Sequence, residues 1–288
     1  MANLKEIRNR IASVSSTKQI TSAMKMVSAA KLRKSQSAIQ KLRPYSQKMT
    51  EIMDRLGSAE GVYTPFARKA KEEKNILLIA LTSNKGLCST FNSSIIKLTA
   101  SRIDFYKQKK ANIFVQSFGK RGDAAFKKMN GITYMGSNDD IWENLNFHNV
   151  DTITEQIMKD FENKKFDRVE IIYNIFKNAA TQYPTIENFL PIELKQDNKK
   201  AENCDYIFQP NKEDIIKSII PQSLHTQVFK CFLDSFASEH GARMSSMNKA
   251  TDNAQELLKE LTLTYNKLRQ ASITNEIIEI CSGANALN

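Results

Sequence analysis

Few residues of this 288-residue chain have the type and spacing that chemistry needs. Glu239, His240 and Arg243 bring an acid, an imidazole and a cation within five positions, groups able to move a proton and hold an anion. Glu239 and Arg243 are also four apart with the acid first, the favourable order for a helix-surface ion pair, and that pairing already accounts for both. His240 falls near an apolar seam and is expected to pack there without useful titration. Thr82–Thr90 (TSNKGLCST) follows an apolar run and precedes a helical pattern, the setting in which loops bind phosphate. With a single glycine it matches neither GxxxxGK[ST] nor GxGxxG, and Gly119-Lys-Arg-Gly122 is too short to cradle a phosphate. Both read as tight strand-to-helix turns. No nucleophile stands beside a base and an orienting group, His148, His225 and His240 form no metal-ligand pattern, and no cofactor is implied. Cys88, Cys204, Cys231 and Cys281 are far apart with no CxxC pair, which points to free thiols in a reducing compartment.

Charge is unevenly placed. The net charge is +11, yet residues 1–43 alone hold ten Lys or Arg and one acid, Glu6. Such a segment invites nucleic acid, because clustered cations neutralise phosphates. It contains no Phe, Tyr or Trp, so neither base stacking nor an interfacial membrane anchor has a platform there. A solvated face, or one meeting an acidic protein, is the simpler reading. No apolar segment follows the charged N-terminus as a secretory signal requires, and the longest apolar run, Ile76–Leu81, is far short of the ~20 residues of a membrane span.

The elements that carry these residues separate into three regions: 1–56, 57–210 and 211–288. Of nine glycines, seven lie between Gly57 and Gly136, which leaves both ends almost free of the residue that most readily breaks helices. In the first region Leu4, Ile7, Ile11 and Val14 recur at helical steps, and after a phase slip Ile20, Met24 and Val27 continue them, a pattern resembling a heptad stutter. In the last region Ala254, Leu258, Leu261, Tyr265 and Leu268 follow strict 4-3 spacing, with Gly283 as the expected stop. Two such helices, the second predicted over about 222–282, can bury their stripes against each other as an antiparallel coiled coil. Between them the spacing predicts strands at 75–82, 112–118, 132–134 and 168–175 alternating with helices at 92–109, 120–129 and 152–163, and a polar loop at 195–205. The fold class is therefore α/β: a long antiparallel coiled coil of the terminal helices with an inserted, Rossmann-like α/β domain whose sheet is at least partly parallel.

Three stretches then point to a family. ITNEIIEICSGANA near the C-terminus, with Ile273, Thr274, Glu276, Glu279, Gly283 and Ala284, resembles the signature of the gamma subunit of F-type ATP synthase. EHGARMSSMNKATDNA and YNKLRQASIT resemble its long C-terminal helix, and the first 36 residues its N-terminal helix. TSNKGLCSTFN resembles its middle, with Asn84 where the family more often has an acid and Ser89 where it has glycine. The resemblance implies a central shaft turning inside a ring of alpha and beta subunits, bound also to an epsilon subunit and to the membrane c-ring. It implies no active site of its own, no nucleic acid, and a membrane reached only through partners. With no Arg-rich transit segment and no local dithiol at Cys204, it implies a bacterial-type subunit, peripheral on the cytoplasmic side of the inner membrane. Its torque and coupling contacts would be Met24, Lys25, Arg243, Arg269, Gln270, Thr274, Glu276 and Glu279, and its bearing tip Ile277, Ile278, Ile280 and Leu287. The family offset sets Leu4 level with about Leu263, so Leu4, Ile7, Ile11 and Val14 would pack on Ala254, Leu257, Leu258 and Leu261, with Met24 near Arg243. About 20 residues of the C-terminal helix, roughly 30 Å, would then overhang. The alternative from another class is a coiled-coil nucleic-acid-binding protein using the basic N-terminal helix.

Overall fold

The computed structural model describes residues 4–57, 64–68, 70, 73–192 and 212–286. The polar loop expected at 195–205, Cys204 and Leu287 lie outside them. The chain divides into two compact units, one comprising the residues up to Ser28 with those from Met244 onward, the other Ala29–Arg243. Helix α1 spans Leu4–Gly57 and includes Pro44; helix α5 spans Lys212–Ala286 and includes Pro221.

In the first unit the two helices meet along one stripe each. On α5 the covered positions are Met247, Thr251, Ala254, Leu258, Leu261, Tyr265, Leu268 and Ser272, the expected 4-3 series extended at both ends. On α1 they are Leu4, Ile7, Ile11, Val14, Lys18, Thr21, Lys25 and Ser28, an unbroken 3-4 series. The expected phase slip is absent: Ile20 and Val27 are 58% and 59% exposed, and small or amphipathic residues occupy the seam instead. Sequence hydropathy favoured the isoleucine; helix phase, held by Leu4 to Val14, favours Thr21. The polar residues find partners in the seam. Thr251 donates from Oγ1 to Thr21 Oγ1 at 2.9 Å, and Lys25 Nζ donates to Asn248 Oδ1 at 2.5 Å. Lys25 can lay its methylene stem along the stripe while its ammonium reaches the rim. Carried along both helices, that register puts Leu4 level with Leu268, about five residues beyond the expected Leu263, and leaves Leu257 outside the seam and exposed. Gly283 does not end the helix, which continues to Ala286.

In the second unit the strands are β1 (Asn75–Leu81), β2 (Asn112–Phe118), β3 (Thr133–Ser137), β4 (Arg168–Phe176) and β5 (Gln182–Leu190), ordered β3-β2-β1-β4-β5. The first four pair in parallel, and β5 returns antiparallel beside β4. Strand β1 is apolar throughout because both its faces are covered. Ile76, Leu78 and Ala80 join a cluster with Ile95 and Ile103 of α2 (Phe91–Gln108) and Phe126 of α3 (Lys120–Phe126). Leu77, Ile79 and Leu81 join the opposite cluster with Val150 and Phe161 of α4 (Phe147–Glu162) and with Leu224, Val228 and Phe232 of α5. Helix α4 starts five residues earlier than expected because Asn146 caps it, its side chain accepting from the Asn149 N–H at 2.9 Å. Helix α3 ends three residues short of the expected Met129, and β3 runs to Ser137 instead of 134. Strand β5 is absent from the sequence reading; Pro184 and alternating polar residues suit it only to an edge.

One buried charge sits on the α2 face of the sheet. Glu170 of β4 is nearly inaccessible and accepts from Arg102 at 2.6 and 2.5 Å and from the Tyr106 hydroxyl at 2.5 Å, with Arg168 3.6 Å away. Burial, then the bond to Glu170, pushes the Tyr106 hydroxyl well above the ordinary tyrosine range.

The seam register is testable by crosslinking. A Thr21→Cys/Thr251→Cys pair is expected to close a disulfide under mild oxidation, seen as a mobility shift on non-reducing gels that dithiothreitol abolishes. The pair Ile7→Cys/Leu261→Cys, which the earlier offset favours, is expected to stay open; the reverse outcome would restore that offset.

Candidate functional site

In an open α/β sheet a ligand enters outside the carboxyl ends of the strands where the strand order reverses. Here that point lies between β1 and β4, which pair with each other while the chain leaves β1 for β2 and β3 on the other side. The loop after β1, Thr82–Thr90, and the turn after β4, Lys177–Thr181, border it. Helix α5 fills it. A Cβ on Gly241 would come within 3.3 Å of Ala179 Cα and of the Phe176 ring. Ser238 Oγ donates to the Asn174 carbonyl at 3.0 Å, and Asn174 Nδ2 donates to the Phe91 carbonyl at 3.2 Å.

The loop turns the wrong groups toward the crevice for phosphate. Arg243 donates from Nη2 to the Lys85 carbonyl at 2.9 Å and from Nε to the Gly86 carbonyl at 3.2 Å. A phosphate cradle needs converging N–H groups; this loop offers carbonyls, and a guanidinium already occupies them. The rest of the loop is tied to itself, with Asn92 Oδ1 accepting from the Ser83 N–H at 2.9 Å and Ser83 Oγ donating to the Lys85 carbonyl at 2.7 Å. Leu87 and Ser89 take positive φ, 61° and 53°, which shows how tightly the loop is drawn round. At its far side Gly119, with φ of 114°, brings the position a Cβ would occupy to 2.3 Å from the Thr82 carbonyl oxygen, so only glycine fits.

The acid–imidazole–cation trio is therefore structural. Arg243 is 5% exposed and Glu239 is equally buried, which corrects the reading of them as a helix-surface pair. Arg243 Nη1 donates to Glu239 Oε1 at 2.7 Å and lies 3.3 Å from His240 Nδ1. Burial raises the Glu239 carboxyl above its ordinary value while Arg243 pulls it down. His240, buried against the Phe236 ring at 4.4 Å, falls to about 3, first through desolvation and then through the Arg243 and Lys31 charges. It stays neutral at physiological pH and carries no proton traffic.

The remaining singled-out residues belong to the first unit. Lys25 is held in the seam by Asn248, and Met24 is half-buried beside it. Arg269, Gln270, Thr274, Glu276 and Glu279 are exposed along one stretch of α5. Thr274 Oγ1 returns a bond to the Gln270 carbonyl at 2.9 Å, and Glu276 accepts from Ser272 at 3.3 Å, so their other hydrogen-bonding positions face outward. Beyond Ser272 every described residue with a defined exposure is exposed, including Ile277, Ile278 and, at 72%, Ile280. Isoleucines bared on successive turns of a helix mark a surface that another molecule covers. Sequence reasoning overlooked a second such surface on α1. Ile20, Met26 and Val27 all face away from the seam, and the signal was present, because they break the unbroken 3-4 series that starts at Leu4.

Truncating Arg243 removes three donors from a buried carboxylate and two carbonyls at once. Arg243→Ala is expected to destabilise the fold by about 3 kcal/mol or more in urea unfolding. Arg243→Lys should recover only a minor part, because one ammonium cannot reach all three acceptors.

The comparisons agree with this geometry. A family model described as ATP synthase matches residues 3–287. The ATP synthase gamma chain of Flavobacterium johnsoniae is 52% identical over 293 residues, covering 100% of both chains. That of Flavobacterium psychrophilum is 51% identical over 100% of this chain and 99% of its own. Among solved structures, a chain of the Tetrahymena thermophila mitochondrial ATP synthase central stalk and c-ring is 25% identical, with a TM-score of 0.58 over 80% of this chain and 99% of that one. A chain of the Euglena gracilis mitochondrial enzyme shares the fold at 21% identity and a TM-score of 0.65, covering 99% and 94%. With full-length matches at half identity, a phosphate crevice plugged by its own helix and a bare helical end, the chain belongs to the ATP synthase gamma chain family.

Proposed function

We propose that the chain is the central rotor shaft of an F-type ATP synthase, transmitting torque between proton flow through a membrane ring and the catalytic sites of a surrounding alpha/beta ring. The observation that carries this is the bared end of α5 in a chain that matches gamma chains from end to end. The shaft makes and breaks no bonds. It presents different faces to its neighbours as it turns, and so shifts each of them among conformations of different nucleotide affinity. A proton crossing ~150 mV supplies roughly 3.5 kcal/mol, so several must be pooled for each ATP, and the shaft has to hold that energy between steps. Two helices registered by a continuous seam resist bending better than one.

The functional division follows the three segments 1–56, 57–210 and 211–288. Met24, Lys25, Arg269, Gln270, Thr274, Glu276 and Glu279 make the orientation-dependent contacts to the ring, and Ile277, Ile278, Ile280 and Leu287 form the bearing tip. Arg243 contributes from within, by fixing the Lys85–Gly86 loop. An epsilon subunit and the c-ring complete the rotor. No helix among the described residues is long and apolar enough to cross a membrane. In this reading attachment is peripheral, through the c-ring, on the cytoplasmic side of the inner membrane, as the likeness to bacterial gamma chains suggests.

Two outcomes are expected. In an assembled complex, Arg269→Ala or Gln270→Ala should lower ATP-driven proton pumping much more than truncation after Gly283. A contact that strongly favours one orientation stalls rotation, so the tip must be weakly committed, whereas a truncated polar group leaves its partner unsatisfied. A truncation as harmful as the point variants would move the grip to the tip. Secondly, calorimetric titration of the chain alone with Mg-ATP should give no micromolar binding, and no phosphate release should accompany it.

A further inference from the structure

In the second unit a groove of about 630 Å³ runs between α1 and α5, lined among others by Ile39, Leu42, Arg43 and Glu51 of α1 and by Lys230 and Asp234 of α5. Asp234 is 7% exposed. No hydrogen bond from a described residue reaches its carboxylate; the charges acting on it are Lys230, Arg43 and a second acid, Glu187 of β5. The two acids are treated very differently. Glu187 accepts from the Tyr173 hydroxyl of β4 at 2.5 Å, from Gln227 Nε2 at 2.9 Å and from Cys231 Sγ at 3.5 Å. Asp234 has no such donor among the described residues, so burial leaves its ionised form uncompensated.

We propose that Asp234 is a proton-binding site, and that proton uptake there tightens the packing of the 29–57 part of α1 on α5. The physical reason is the groove wall. An ionised carboxylate without donors beside Ile39 and Leu42 keeps that wall from closing, whereas the neutral acid can be enclosed. Burial raises Asp234 to about 6, Lys230 and Arg43 pull it down, and Glu187 pushes it up. Tyr173 and Cys231 cannot take over the role, since burial drives both far above their ordinary values. The folded-state value exceeds the unfolded one, about 3.9. The proton's contribution to stability is therefore fully present below pH ~4, and it is lost as pH rises through about 6.

The test uses the full chain, unfolded in urea from pH 4 to 8, beside Asp234→Asn. The Asn variant mimics the protonated acid at every pH. Its folded-to-unfolded ratio relative to wild type is expected to rise about fiftyfold between pH 4 and pH 8. A constant offset reflects shape alone, and it is the pH dependence of the ratio that is read. Arg43→Met supplies an independent arm: with one cation gone, the wild-type transition should move to higher pH. Hydrogen exchange reads the packing itself. Corrected for intrinsic rates, amides of 36–49 should slow in wild type from pH 7.5 to 5.5 and hold constant in the Asn variant. A ratio flat across the range overturns the proton site, and equal slowing in both proteins overturns its link to α1.

Discussion

A helix wrapped on every side must either exclude charge or satisfy it completely, and the rest of this molecule follows from how α5 meets that demand. From Cys231 to Arg243 almost every residue of α5 is buried, and the stretch still contains Asp234, Glu239, His240 and Arg243. Arg243 is the solution for three of them. Its guanidinium neutralises Glu239, adds to the burial that keeps His240 uncharged, and uses its remaining donors on the Lys85 and Gly86 carbonyls. One side chain thereby joins a helix to the loop after β1. Replacing it by an apolar residue would take a donor from each loop carbonyl and leave the buried acid uncompensated, a larger loss than that of an ion pair of the same spacing on a surface.

The same helix occupies the crevice at the strand ends of this Rossmann-like sheet. The crevice at the strand ends has the usual topology, but Gly241 lets the backbone of α5 approach Ala179 and Phe176 at van der Waals distance, and the space is used for packing. A site that elsewhere recognises phosphate by inward N–H groups has become an attachment point lined by carbonyls. The sheet offers two faces, one taken by α2 and α3, the other by α4 and α5.

Sequence patterning revealed the elements whose burial is two-sided or strictly periodic. The run Ile76–Leu81 and the series Ala254–Leu268 could be read directly, because each is uniform under one rule. Reading failed where two rules competed. On α1, Ile20 and Val27 outweighed Thr21 and Ser28 on hydropathy, although phase requires the smaller residues to face the seam. Strand β5 has Pro184, Glu187 and Asn188 where an apolar alternation would be sought, and its stability comes from pairing with β4 and from Gln227 of α5. Gly283 marks a helix end only on average; in a stretch with no Cβ contact nearby, nothing forces the chain out of helix. The exposed residues Arg269–Ile280 were legible because a family signature and a long overhang coincide there. The burial of Arg243 was not, since a spacing of four identifies Glu239 but says nothing of a loop 157 residues away.

The polar pairs in the seam, Thr21 with Thr251 and Lys25 with Asn248, have a mechanical meaning. An apolar stripe alone is nearly indifferent to sliding by a whole heptad, since leucine meets leucine again after each step. A slide here would separate both hydrogen-bonded pairs in the same movement. The two bonds therefore act as an index mark, setting where along its length one helix is locked to the other. In a rotating part, axial slip is also phase error, because a helical surface that advances presents a different face. Holding the register by hydrogen bonds instead of by depth of hydrophobic burial keeps the angular timing of the stroke fixed even where the seam itself is thin.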